Sequence, residues 1–123
     1  MDGTALSQRV IGCAIEVHRH LGPGLLEAAY EACLCLELSH AGIAHVRQVE
    51  LPLSYKGMTV PGGYRLDIVV EDRLILEIKA VERVLAVHEA QLLTYLRLSG
   101  LTTGLLLNFN NAVLKDGIKR IVS

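Results

Sequence analysis

The chain has 123 residues, 51% of them apolar and 4% aromatic, with 12 Lys+Arg against 13 Asp+Glu and a mean hydropathy of +0.39. A formal net charge of −1 and a pI near 6.5 exclude nucleic-acid binding driven by overall charge, and the high apolar content excludes disorder. The length predicts one domain, residues 1–123, large enough to fold around its own core.

Ser7 is placed to cap a first helix, in which Val10, Ile11, Ala14, Val17 and Leu21 recur at helical spacing. Gly22-Pro23-Gly24 stops it. A second helix is predicted from about Leu25 to Ser39, punctuated by Gly42. Val46–Tyr55 alternates as a half-buried strand, Lys56-Gly57 turns it back into Met58–Val60, and Pro61-Gly62-Gly63 is expected to break the run. Two short strands follow, Tyr64–Val70 and Leu74–Ala80, joined by Glu71-Asp72-Arg73. A third helix spans about His88–Ser99 and ends at Gly100. Leu101–Phe109 reads as a buried strand and Ile118–Val122 as a last short one. This order predicts a mixed α/β (α+β) domain in which a mixed central sheet is flanked by helices.

The N-terminus, MDGTALSQRV, lacks a basic segment followed by an apolar one, so no signal peptide is expected. No apolar run approaches the ~20 residues of a membrane span. The expectation is a cytoplasmic protein that does not enter membranes. Cys13, Cys33 and Cys35 are too few for a four-cysteine metal site, and their odd number argues against a disulfide framework. They are expected as reduced core residues. The high hydropathy leaves room for a homo-oligomer or a protein partner.

The informative stretch is GGYRLDIVVEDRLILEIKA. If a three-residue loop closes the hairpin at Glu71-Asp72-Arg73, Asp67 faces Glu77 and Arg65 faces Lys79. Asp67, Glu77 and Lys79 then share one sheet face, and Leu66, Ile68, Val70, Leu74, Leu76 and Ile78 share the other. Two opposed carboxylates repel, and a divalent cation relieves that repulsion. A lysine two residues after the second acid reaches the same face, where it can offset charge on a phosphorane-like transition state. Asp, then Glu-x-Lys on the next strand, is a chemically sensible set for phosphodiester hydrolysis. A solvated polar face with a charge-balancing Glu/Lys pair uses the same residues. Gln91 and Tyr95 lie one turn apart on the third helix, and Glu27 sits in the first turn of the second, where a carboxylate also suits the helix dipole.

Gly24-Leu25-Leu26-Glu27-Ala28-Ala29-Tyr30 resembles the signature of the GxxExxY family. His18-Arg19-His20-Leu21-Gly22-Pro23, Tyr55-Lys56-Gly57, Arg65-Leu66-Asp67, Glu77-Ile78-Lys79-Ala80, Gln91–Leu96 and Gly117-Ile118-Lys119-Arg120 extend the resemblance over nearly the whole chain. That family is placed in the PD-(D/E)XK nuclease superfamily, near its RecB-type and λ-exonuclease-type members. The resemblance implies a three-layer restriction-endonuclease-like domain and a nuclease that uses Mg²⁺ or Mn²⁺. Asp67 and Glu77 would bind the metal with the Ile78 carbonyl, and Lys79 would be the catalytic lysine. Glu27 would be the helix-borne acid, and Gln91 and Tyr95 would form the QxxxY pair that positions the site or the nucleic acid. The implied partner is nucleic acid, DNA ahead of RNA. The competing reading is a nucleic-acid-binding or protein-interaction module with a weak or degenerate site. The complete acid–acid–lysine set argues against it.

The histidines are not promoted. His18 and His20 suit the C-terminal end of the first helix, and His88 suits a surface or capping role. Arg83, Arg97, Lys115, Lys119 and Arg120 read as solvated charges.

Overall fold

The computed structural model describes residues 3–123. Two helices, α1 (Gly3–Leu21) and α2 (Glu27–His40), precede the strands β1 (His45–Tyr55), β2 (Met58–Val70) and β3 (Leu74–Lys79). Then come α3 (Ala86–Ser99), β4 (Thr103–Asn108), a 3-10 turn at Leu114–Gly117, and β5 (Ile118–Val122). The strands form one sheet in the order β1-β2-β3-β4-β5. β3 and β4 are parallel and the other neighbours antiparallel. A parallel pair needs a crossover, and α3 supplies it.

The helices cover both faces of the sheet. On one face Val10, Ala14, Tyr30, Leu34 and Leu38 of α1 and α2 pack on Ile68, Leu76 and Leu107. On the other, Leu92, Tyr95 and Leu96 of α3 pack on Val69, Ile75 and Leu106. The result is the expected three-layer mixed α/β fold. β3 and β4 are buried on both sides, which is why LILEIK and TGLLLN read as near-continuous apolar runs. Cys13, Cys33 and Cys35 are free thiols packed against the α1–α2 core. Among the described residues no helix is long and apolar enough to cross a membrane.

Three details depart from the sequence expectations. Ser7 lies inside α1, buried, with Arg120 reaching its hydroxyl, and does not cap the helix. Pro61-Gly62-Gly63 does not end a strand. β2 runs through it, and the β1–β2 register shifts between Leu51 and Leu53, opposite this segment. Pro52 lies within the same shift, so the prolines, which have no N–H for the ladder, sit where the pairing is irregular.

The third departure concerns which face each residue presents. Ile68 packs with α1 and α2, whereas Leu66 packs with α3, so β2 changes face between them. Their β1 partners change together: Arg47, opposite Ile68, reaches α2, and Val49, opposite Leu66, packs with α3. Gln48 lies between, level with Asp67, in a left-handed conformation with φ 55°. Strict alternation therefore fails at Asp67 itself.

The β2–β3 turn is the three-residue loop the site requires. Val70 pairs with Leu74, Val69 with Ile75 and Ile68 with Leu76. Glu71 and Asp72 take left-handed φ values of 51° and 54°, and the Arg73 N–H closes on the Val70 carbonyl at 2.9 Å. α3 ends on Gly100, whose φ of 78° suits a residue without a Cβ.

Candidate active site

Beyond the Ile68–Leu76 pair, β2 and β3 part. Asp67 and Glu77 are consequently not ladder partners, nor are Arg65 and Lys79. Side chains take over the backbone hydrogen bonds at this level. The Ile78 N–H donates to Asp67 Oδ2 at 2.7 Å, and the Asp67 N–H donates to Glu77 Oε1 at 3.3 Å. The two carboxyl groups thus sit in the gap that opens between the strands. Glu77 is only 6% exposed, because α3 covers this side of β3. Glu77 therefore does not lie on a solvated polar face.

Burial and the Asp67 charge push the Glu77 carboxyl up to about 8. Asp67 is also raised, first by burial and then by the Glu31 charge, although the Ile78 amide opposes the shift. Both shifts favour the protonated form, and a proton held on Glu77 in the metal-free protein faces the Asp67 carboxylate. Lys79, half-exposed, lies close enough to favour the charged form of both acids without an ion pair among the described residues. Tyr95, on α3, lies near enough to feel the charge of both acids. It is 9% exposed, packs edge-on against Tyr64 at 5.6 Å, and its phenol is raised by burial and then by Glu77 and Asp67.

Glu27 arrives from the other helical layer. Its Oε2 accepts from the Ala80 N–H at 3.2 Å, at the end of β3 and next to Lys79. The loop before it is fixed by Tyr30, whose hydroxyl donates to the Gly22 carbonyl at 2.6 Å and accepts from the Leu25 N–H at 3.0 Å. Gln91 is exposed and its side chain forms no hydrogen bond with any described residue, so no hydrogen bond ties it to the carboxylates. His88 caps α3, its Nδ1 accepting from the Leu85 N–H at 2.9 Å.

Two residues absent from the sequence reading belong to this neighbourhood. Glu31, 5% exposed, is the acid on α2 whose charge Asp67 feels. Its position one turn after Glu27 was the available signal, because such pairs share a helix face. Asn108 lies beside Lys79 in the parallel β3–β4 register. It is 1% exposed and clamps the chain after β3. It accepts from the Val81 N–H at 3.0 Å, and donates to the Val81 carbonyl and to Asn111 Oδ1, each at 2.9 Å.

The donor set fits a hard divalent cation. Mg²⁺ is commonly held by one or two carboxylates with waters and substrate phosphates completing the shell. Asp67 and Glu77 each have one oxygen anchored by a backbone N–H, and the Asp67 charge that raises Glu77 is one a cation would offset. No group of three or more His, Cys, Asp or Glu able to hold a metal forms among the described residues. At Ile78 the group that touches Asp67 is the amide.

The sequence matches the family model of the PD-(D/E)XK nuclease superfamily over residues 4–121. The chain belongs to the PD-(D/E)XK nuclease superfamily. Comparison with curated proteins and with solved structures finds no match. Membership agrees with the three-layer restriction-endonuclease-like architecture. It implies a nucleic-acid substrate, and members of the superfamily generally use divalent metals.

Proposed function

We propose that this superfamily member, a single domain over residues 1–123, is an Mg²⁺- or Mn²⁺-dependent nuclease that hydrolyses phosphodiesters, with DNA ahead of RNA as substrate. The observation that supports it most is the Asp67–Glu77 carboxyl pair in the β2–β3 gap, Glu77 buried and Asp67 partly so, with Lys79 beside it. The motif Gly24–Tyr30 supports a finer reading, a member of the GxxExxY group on the RecB-type and λ-exonuclease-type branch.

Asp67 and Glu77 would hold the cation, with the Ile78 carbonyl as a further ligand. A bound divalent ion lowers the pKa of a coordinated water and polarises a phosphoryl oxygen. Glu77 must release its proton to serve as a ligand. Lys79 places positive charge where negative charge grows on the phosphorus oxygens. Glu27, at Ala80, stands at the end of the same strand as the helix-borne acid. Gln91 and Tyr95 are the positioning pair on α3, Tyr95 from within and Gln91 from the surface.

The test is cleavage of single-stranded and duplex DNA and of RNA, with chelator and with millimolar Mg²⁺ or Mn²⁺. Metal-dependent cleavage by the wild type, lost in Lys79→Ala, supports the reading. Metal-independent cleavage, or a Lys79→Ala protein as active as wild type, refutes it.

A further inference from the structure

Glu31 is a carboxylate that the proposed chemistry does not use, yet it is 5% exposed and fully engaged. Arg47 Nε donates to its Oε2, and Gln48 Nε2 donates to both oxygens at 2.9 Å. Gln48 is the residue with φ 55°. Side chains with a Cβ avoid that conformation unless neighbours impose it, and such outliers gather at functional sites. It falls level with Asp67, between the Arg47–Ile68 and Val49–Leu66 pairs, where β1 and β2 change face together. At that same level Asp67 leaves regular alternation and its carboxylate lies across the gap on the Ile78 amide.

We propose that Glu31 is a positioning residue for Asp67, acting by holding Gln48 in its left-handed turn. The side-chain amide of Gln48 is grasped by both Glu31 oxygens, so the turn is fixed from α2. The turn lets β1 follow β2 through the change of face, and β2 can then present Asp67 sideways to β3. The inference rests on the nuclease reading for its purpose, but not for its test.

The reporter is the Ile78 amide, which donates directly to Asp67. Its proton and nitrogen shifts are measured in the metal-free full chain, with Asp67→Ala defining their position when the bond is lost. Gln48→Gly should leave the resonance in place, because glycine adopts φ near 55° unaided. Gln48→Ala should move it at least half-way toward the Asp67→Ala position. Glu31→Gln should move it the same way, and Glu31→Gln combined with Gln48→Gly should return it. An unmoved Ile78 resonance in folded Gln48→Ala overturns the proposal. So does a double variant that stays displaced, which would mean that Glu31 acts on Asp67 by charge alone. The Gln48→Ala and Gln48→Gly pair keeps Glu31 intact and decides the matter even if Glu31→Gln does not fold. Cleavage by the wild type is read separately, so failure of the nuclease reading is not confused with failure of this one.

Discussion

The Ile78 N–H donates to the Asp67 carboxylate at 2.7 Å, across two strands that no longer pair at that level. In an undisturbed antiparallel pair that N–H would seek a backbone carbonyl. The exchange opens the sheet where the acid pair sits, and it aims Asp67 at Glu77.

The first consequence is a pH dependence of stability. Glu77 ordinarily titrates near 4.5 and is raised to about 8 here, so the folded state holds its proton more tightly than the unfolded chain. A raised acid contributes stability that is fully present below about 4.5 and lost as pH climbs through about 8. The metal-free protein should lose on the order of a few kcal/mol over this window, with Asp67, also raised, adding to the fall. Glu77→Gln should flatten the decline. Denaturant titrations at pH 5, 7 and 9 with chelator measure it.

Asp67→Asn separates a metal site from a structural one. The amide keeps an acceptor for Ile78 and removes the charge that opposes Glu77, so metal-free stability at neutral pH should be unchanged or raised. Asp67 is itself raised by burial, so its ionised carboxylate is held less well by the fold than by the unfolded chain, and removing that charge does not weaken the metal-free protein. Stabilisation by Mg²⁺ or Mn²⁺ should vanish. In the wild type a ligand at ~100 times its dissociation constant adds about 2.7 kcal/mol, visible in the melting temperature. A destabilised Asp67→Asn together with a wild type indifferent to metal would contradict the account.

Asn108→Ala removes a clamp from the segment after Lys79. It orphans the Val81 N–H and carbonyl, which Asn108 satisfies at 3.0 and 2.9 Å. A loss of about 2–4 kcal/mol is expected from two unsatisfied groups, measured by chemical unfolding.

Tyr30→Phe keeps the ring stacked on Phe109 at a centroid distance of 4.6 Å but loses both hydroxyl bonds to the loop before Glu27. It should cost about 1–2 kcal/mol and speed hydrogen exchange at Leu25, with little change in the α1–α2 core.

Much of this site was legible in the residues. The turn at Glu71-Asp72-Arg73 fixed the hairpin register, and the register brought Asp67 and Glu77 to one level. What stayed hidden depends on a backbone that does not alternate. A period of two assumes extended conformation throughout, and Gln48 breaks it without the glycine that usually marks a left-handed residue. Leu66 is expected beside Ile68 for that reason, but it packs with α3. Pro61-Gly62-Gly63 looked like a strand break because composition cannot distinguish a break from an irregular pairing. Glu31 was legible in principle, one turn from Glu27, but the bonds that reveal it come from β1.

The central claim is that the Asp67–Glu77 gap is a metal-dependent phosphodiester-cleaving site. The most direct measurement is single-turnover cleavage by wild type and Lys79→Ala, run beside metal-induced thermal stabilisation of the same two proteins. The account predicts Mg²⁺- or Mn²⁺-dependent cleavage by the wild type and a loss of about 10²-fold or more in Lys79→Ala, with metal stabilisation retained because the lysine is not a ligand. Equal cleavage by the two proteins, or no cleavage of any nucleic acid with either metal, would contradict it.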